Sequence, residues 1–150
     1  MRGSPPFHTL PLDVQSNERL ESGKAAAVAV AGGAVGLLPS GLAQQSPPAA
    51  LLLTVASGLA TCVLFGVMYR YVVAGDAQNP QLKGGTVAAF GMARGLGMAQ
   101  VELTGAQDWS LPLITSSALT VAQSVLMFAF AAAALEAATS AGAVKRIGDQ

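Results

Sequence analysis

Histidine and cysteine are nearly absent: the 150 residues hold one of each, His8 and Cys62. A single cysteine excludes an internal disulfide. A single histidine, placed outside every apolar run, excludes bis-histidine haem ligation and the commonest chlorophyll ligand inside a membrane. It also leaves no Ser/His/acid set and no ordinary zinc or iron site. No cofactor and no enzymatic chemistry are expected. Charge is scarce as well, at 11% of residues against roughly 25% in an average soluble domain. The eight basic and eight acidic residues cancel, so no basic field draws the chain to nucleic acid.

What the chain does have is small residues, 29 Ala and 17 Gly, and long stretches without charge. Residues 25–69 form a charge-free run of 45, and residues 109–135 another of 27. A soluble domain needs charge on its exposed helix faces, so these runs exclude an ordinary globular protein. The fold class expected is an all-α integral membrane protein.

A helix needs about 20 residues to cross a bilayer core of ~30 Å. The first run therefore makes two spans, at about residues 25–43 and 49–73. Gln44, Gln45, Ser46, Pro47 and Pro48 form the turn between them, and Pro39 should kink or end the first span early. A second connection, rich in Gly75, Asp76, Asn79 and Pro80, precedes a weaker span at about residues 84–101. Residues 102–110 connect to the last span, about 111–138. Residues 1–24 read as a solvated polar arm, with a short surface helix over residues 14–24 as the alternative. The arm matches neither a secretory signal nor a transit peptide. Residues 139–150 read as a polar, basic tail.

Four spans place seven of the eight basic residues on one side: Arg2, Arg19, Lys24, Arg70, Lys83, Lys145 and Arg146. The opposite side holds Glu102 and Asp108 and no basic residue. By the positive-inside bias both termini face the cytoplasm, or the stroma or matrix of an organelle.

Helices in lipid associate through close contact, which small residues permit. Span one offers Ala25, Ala29 and Gly33, with Gly32 and Gly36 beside them. Span two offers Thr54, Gly58, Cys62 and Gly66 at four-residue spacing, and span three Gly91, Gly95 and Ala99. These rows read as packing grooves, although an Ala- and Gly-rich sequence also yields such spacings by chance. Gly91 and Gly95 lie inside an apolar helix, not at the strand-to-helix turn a phosphate loop requires.

Few polar groups lie within the spans. Arg94 sits about ten residues into span three, roughly 15 Å deep. Burying it costs at least a few kcal/mol, so it must face protein, water or a partner. At matching depth on span four stand Gln123 and Ser124. Glu102, two turns along from Arg94, meets it only if the arginine snorkels outward, and Glu136 lies near the opposite interface. Arg94 reads as structural, or else as part of a polar path. Gln123 and Glu136 read as packing polars, and Tyr69, Arg70 and Tyr71 as interface anchors.

The segments Tyr69-Arg70-Tyr71, Asp76 to Lys83 and Ala88 to Leu96 together resemble a family of small four-span membrane proteins of cyanobacteria and chloroplasts. The four Gly-rich spans, with Asn79, Gly84, Arg94 and Gly95 around span three, are also similar to the preprotein and amino-acid transporter family of inner-membrane translocases. These resemblances imply an organellar inner membrane, the chloroplast inner envelope or thylakoid, or a cyanobacterial membrane. They also imply membership of a multisubunit complex, such as a chloroplast protein-import translocon.

The reading expected first is a non-enzymatic accessory subunit whose partners are other membrane subunits and the bilayer. No soluble small-molecule substrate is evident. Two alternatives stand beside it: a small carrier or channel using Arg94 and Gln123, and a peripheral subunit of a photosynthetic complex.

Overall fold

The computed structural model describes residues 12–43, 48–76, 78–106, 108, 110–145 and 147. It contains four helices: α1 (Leu12–Ala43), α2 (Pro48–Ala74), α3 (Pro80–Thr104) and α4 (Leu111–Ser140). No strand occurs among the described residues.

Local chemistry sets the boundaries. The Asn79 carboxamide oxygen caps α3 by accepting from the N–H groups of Gln81 (3.0 Å) and Leu82 (3.4 Å). Pro80 follows at the first helical position, where its missing N–H costs nothing. Pro48 opens α2 in the same way, and Pro112 lies in the first turn of α4. Gly142, at φ +73°, turns the chain back after α4, a backbone shape that favours glycine. The N–H groups of Ala143 and Val144 then bond to the Ala138 carbonyl, and Val144 is buried in the core.

Neighbouring helices run antiparallel. Gly66 of α2 packs on Ala25, Ala26 and Ala29 of α1, and Gly33 of α1 on Cys62 of α2. On its other side α1 meets α4, Gly32 against Ala131 and Ala134, and Gly36 against Met127. Gly91 and Gly95 of α3 abut Val125 and Val121 of α4. The spatial order is therefore α2–α1–α4–α3. The ring is incomplete, because α2 and α3 touch only sparsely. They meet at an aromatic cluster, where Phe65 lies 5.4 Å from Phe90 and 5.0 Å from Phe128, centroid to centroid. Phe65, Met127 and Phe128 are completely buried.

Two helices, α2 and α4, are long and apolar enough to cross a membrane, with mean hydropathy of 2.2 and 1.9 over their best stretches. They expose large apolar side chains such as Leu52, Leu64, Leu119 and Leu126. α3 is less apolar because it carries Arg94, Lys83 and five glycines.

The structure revises the ends of the expected segments. Helix α1 is continuous from Leu12, so residues 12–24 are helical, in line with the alternative of a short helix over residues 14–24, and most of the side chains described there are exposed. The Arg70 guanidinium bonds to that stretch, as described below. Helix α1 also continues past Pro39 to Ala43. The expected turn at residues 44–47 lies outside the described residues, as do residues 1–11, Arg146 and residues 148–150.

Candidate functional site: an arginine on the floor of a lateral groove

Because glycines bring α3 against α4, Arg94 of α3 lies over a polar strip of α4. Its Nη1 donates to Ser124 Oγ at 3.2 Å, and Nη2 reaches across to the Thr54 carbonyl of α2 at 3.3 Å. Thr54 precedes Gly58 by one turn. A helical side chain covers the turn N-terminal to its own Cα, so a glycine at 58 leaves the Thr54 carbonyl open to the arginine. Arg94 Nε is buried and has no hydrogen-bond partner. Among the described residues no carboxylate pairs with Arg94.

Glu102 does not meet Arg94. Its carboxylate accepts from Ser117 Oγ (3.2 Å) and Thr120 Oγ1 (3.0 Å). Ser124 Oγ donates to the Thr120 carbonyl at 3.0 Å, so the two charges are linked only through α4. Eight residues of helix separate them by about 12 Å. Attraction at that distance and an effective dielectric of 20 is about 1 kcal/mol. Glu102 is therefore at most a weak, distant counter-charge for Arg94.

Gln123 does not bond to Arg94. It lines, with Arg94, Thr54, Thr120 and Ser124, a small cavity of about 20 Å³, room for a single water. On the outward side Arg94 lies on the floor of a larger groove between α2 and α3, about 590 Å³ in volume. Thr54, Ser57 and Thr61 wall it on one side, and Ala93, Gly97 and Glu102 on the other. Leu53 and Val101, 72% and 73% exposed, form its rim.

The opposite end of the bundle is charged and closed. Arg70, only 7% exposed, pairs through Nη2 with Glu18 at 2.9 Å. Its Nη1 donates to the Glu18 carbonyl (3.2 Å) and Ser22 Oγ (3.0 Å), and its Nε to the Lys145 carbonyl (3.0 Å). Of the three expected anchors, only Tyr71 faces outward. Tyr69 and Arg70 turn inward, because the carboxylates and carbonyls that satisfy them lie inside. Glu136 accepts from Tyr69 Oη (3.0 Å) and pairs with Lys83 (2.8 Å). Glu21 accepts from the Lys145 N–H (2.9 Å) and Lys24 Nζ (2.8 Å). The Lys145 N–H bond, then the Lys24 bond, hold the Glu21 carboxyl below the usual carboxylate range.

The structure places the small residues on helix contacts. Gly32 and Gly36 face α4, Cys62 and Gly66 face α1, and Gly91 and Gly95 face α4. Gly58 faces Leu37 and Arg94. Among the described residues no cluster of three His, Cys, Asp or Glu side chains is placed to hold a metal ion. Two features that sequence reasoning missed are the groove itself and the role of Arg70. The first depends on which helices are neighbours, and no sequence signal carries it. For the second, the acidic and hydroxyl residues Glu18, Glu21 and Ser22 just before span one were an available signal.

Comparison with protein families, with characterised proteins and with solved structures finds no match.

Proposed function

We propose that this chain is a non-enzymatic accessory subunit of a larger membrane protein complex. In this reading all four helices cross the bilayer, and the charged end carrying Arg70 and Lys83 faces the cytoplasm, stroma or matrix. The single observation that carries it is the open ring. Three helix contacts are closed by glycine, while α2 and α3 leave a groove in the flank that would face lipid. Lipid gives a polar floor such as Arg94 no compensation, whereas another subunit does. The resemblance of residues 69–96 to small chloroplast and cyanobacterial membrane proteins supports a chloroplast inner-envelope or thylakoid setting, with a protein-import translocon as the complex.

The aromatic layer counts against a carrier or channel. Polar groups line the groove from Glu102 to Arg94, but Phe65, Phe90 and Phe128 fill the bundle between Arg94 and Glu136. A polar path would stop halfway.

The test is gentle-detergent purification from native membranes through a tag on the C-terminal tail. Recovery in a complex with other membrane subunits is the expected result. Recovery as a stable, monodisperse 15.0 kDa chain overturns the proposal.

A further inference from the structure

We propose that the groove between α2 and α3 receives a transmembrane helix of a different protein that presents a carboxylate at the depth of Arg94. This rests on the accessory-subunit reading and specifies the partner's chemistry.

The walls of the groove suit a helix. On α3, Ala93 and Gly97 are one turn apart, and a Cβ added at Gly97 would meet nothing within 4 Å. On α2, Ser57 and Thr61 have the same spacing. Their hydroxyls are already satisfied by their own helix. Ser57 Oγ donates to the Thr54 carbonyl (3.0 Å), and Thr61 Oγ1 to the carbonyls of Ser57 (3.0 Å) and Gly58 (2.8 Å). They act as small, smooth surface of the kind that lets helix backbones approach in lipid. From Ala93 to Glu102 the wall runs for about 14 Å, two to three turns of a docked helix.

The floor decides the chemistry. Arg94 lines the groove and carries a positive charge with no counter-ion among the described residues, while its unpartnered Nε is sealed beneath. Glu102 is engaged with Ser117 and Thr120. A complementary surface therefore carries an anion. Lipid does not supply it, because phosphates lie at the interface while Arg94 lies roughly 15 Å from the nearer end of α3. A second copy of this chain does not supply it either. Its carboxylates nearest the apolar core, Glu102 and Glu136, are bound by Ser117 and Thr120, and by Lys83 and Tyr69. A carboxylate on another protein's helix remains.

The experiment places a photoreactive phenylalanine at Gly97 of the tagged chain, irradiates native membranes and maps the adduct by mass spectrometry. The expected adduct joins position 97 to a transmembrane segment of another protein containing Asp or Glu. Arg94→Gln should reduce its yield at least about tenfold, since one buried charge is then left without its partner. Arg94→Glu with the partner's acid changed to Arg should restore it. Adducts only with lipid, only with a second copy, or with a helix lacking an acid overturn the inference. A yield unchanged in Arg94→Gln does so too. Because Arg94 also holds Ser124 and Thr54, the adduct of the chain with Arg94 intact is the primary reading. Partners retained in the tag purification, with no adduct at position 97, overturn the groove assignment alone. No partners at all overturns both readings.

Discussion

The guanidinium of Arg94 on α3 rests against Gly58 on α2: a Cβ at position 58 would stand 3.2 Å from Nη2. The same Cβ would stand 3.1 Å from Leu37 of α1. One hydrogen atom at Gly58 thus lets three helices converge and keeps the Thr54 carbonyl open. Gly58→Leu should displace the arginine and lower stability by about 1–3 kcal/mol, the usual cost of overpacking. Gly58→Ala asks the neighbours to yield only a few tenths of an ångström and should cost less. Thermal unfolding of the two variants in one detergent checks the order.

Glycine substitutions should change sign with position. At Gly84, Gly85 and Gly97 an added Cβ meets open space. Alanine there should stabilise the helix by up to about 1 kcal/mol. At Gly36 and Gly91 the Cβ would meet the backbone of Met127 and Val125 at 2.6 Å. Alanine there should destabilise by about 1–3 kcal/mol. The same sign at both sets would contradict the packing described.

Much of this arrangement is legible in the sequence. Charge-free runs, the first divided at Pro48, and a separate connection holding Asn79 and Pro80 mark the helices, and small residues four apart mark their contact rows. Matching depth on antiparallel helices pairs Arg94 with Ser124. The sequence does not say which helix each row faces, so the open seam between α2 and α3 is invisible in it. Glu102 is similar: its bonds to Ser117 and Thr120 depend on the register of α3 against α4. A helix over residues 14–24 is one of the two readings the sequence allows, but the bonds of Glu18 and Ser22 to the buried Arg70 depend on how α1 packs on α2 and are not legible in it.

Arg70 fastens the first half of α1 and Lys145, just after α4, to α2. Arg70→Met removes the ion pair to Glu18 and the bonds to Ser22 and Lys145, and should cost about 3 kcal/mol. Limited proteolysis should then cut within residues 12–24 while the apolar core remains protected.

The Glu21 bonds to Lys145 N–H and Lys24 give a pH dependence of definite sign. A carboxyl held below its ordinary value contributes stability above the unfolded pKa, about 4.3, and loses it as pH falls through the lowered value. Lys24, Arg70 and Glu18 face the same site. Protection of the Lys145 amide from exchange should fall as pH drops through that lowered value, by more than global unfolding accounts for. Glu21→Gln should remove that acid-dependent step.

The proposed function rests on four membrane crossings with the charged end on one side. Cys62, the only cysteine, is buried against Gly33, so introduced cysteines report on a quiet background. The direct measurement is labelling of Asn17→Cys, Gly75→Cys, Ala141→Cys and Asp108→Cys with a membrane-impermeant maleimide in sealed native vesicles. The first three should react from one side of the membrane and Asp108→Cys only from the other. Labelling of all four from the same side would contradict the four-span bundle.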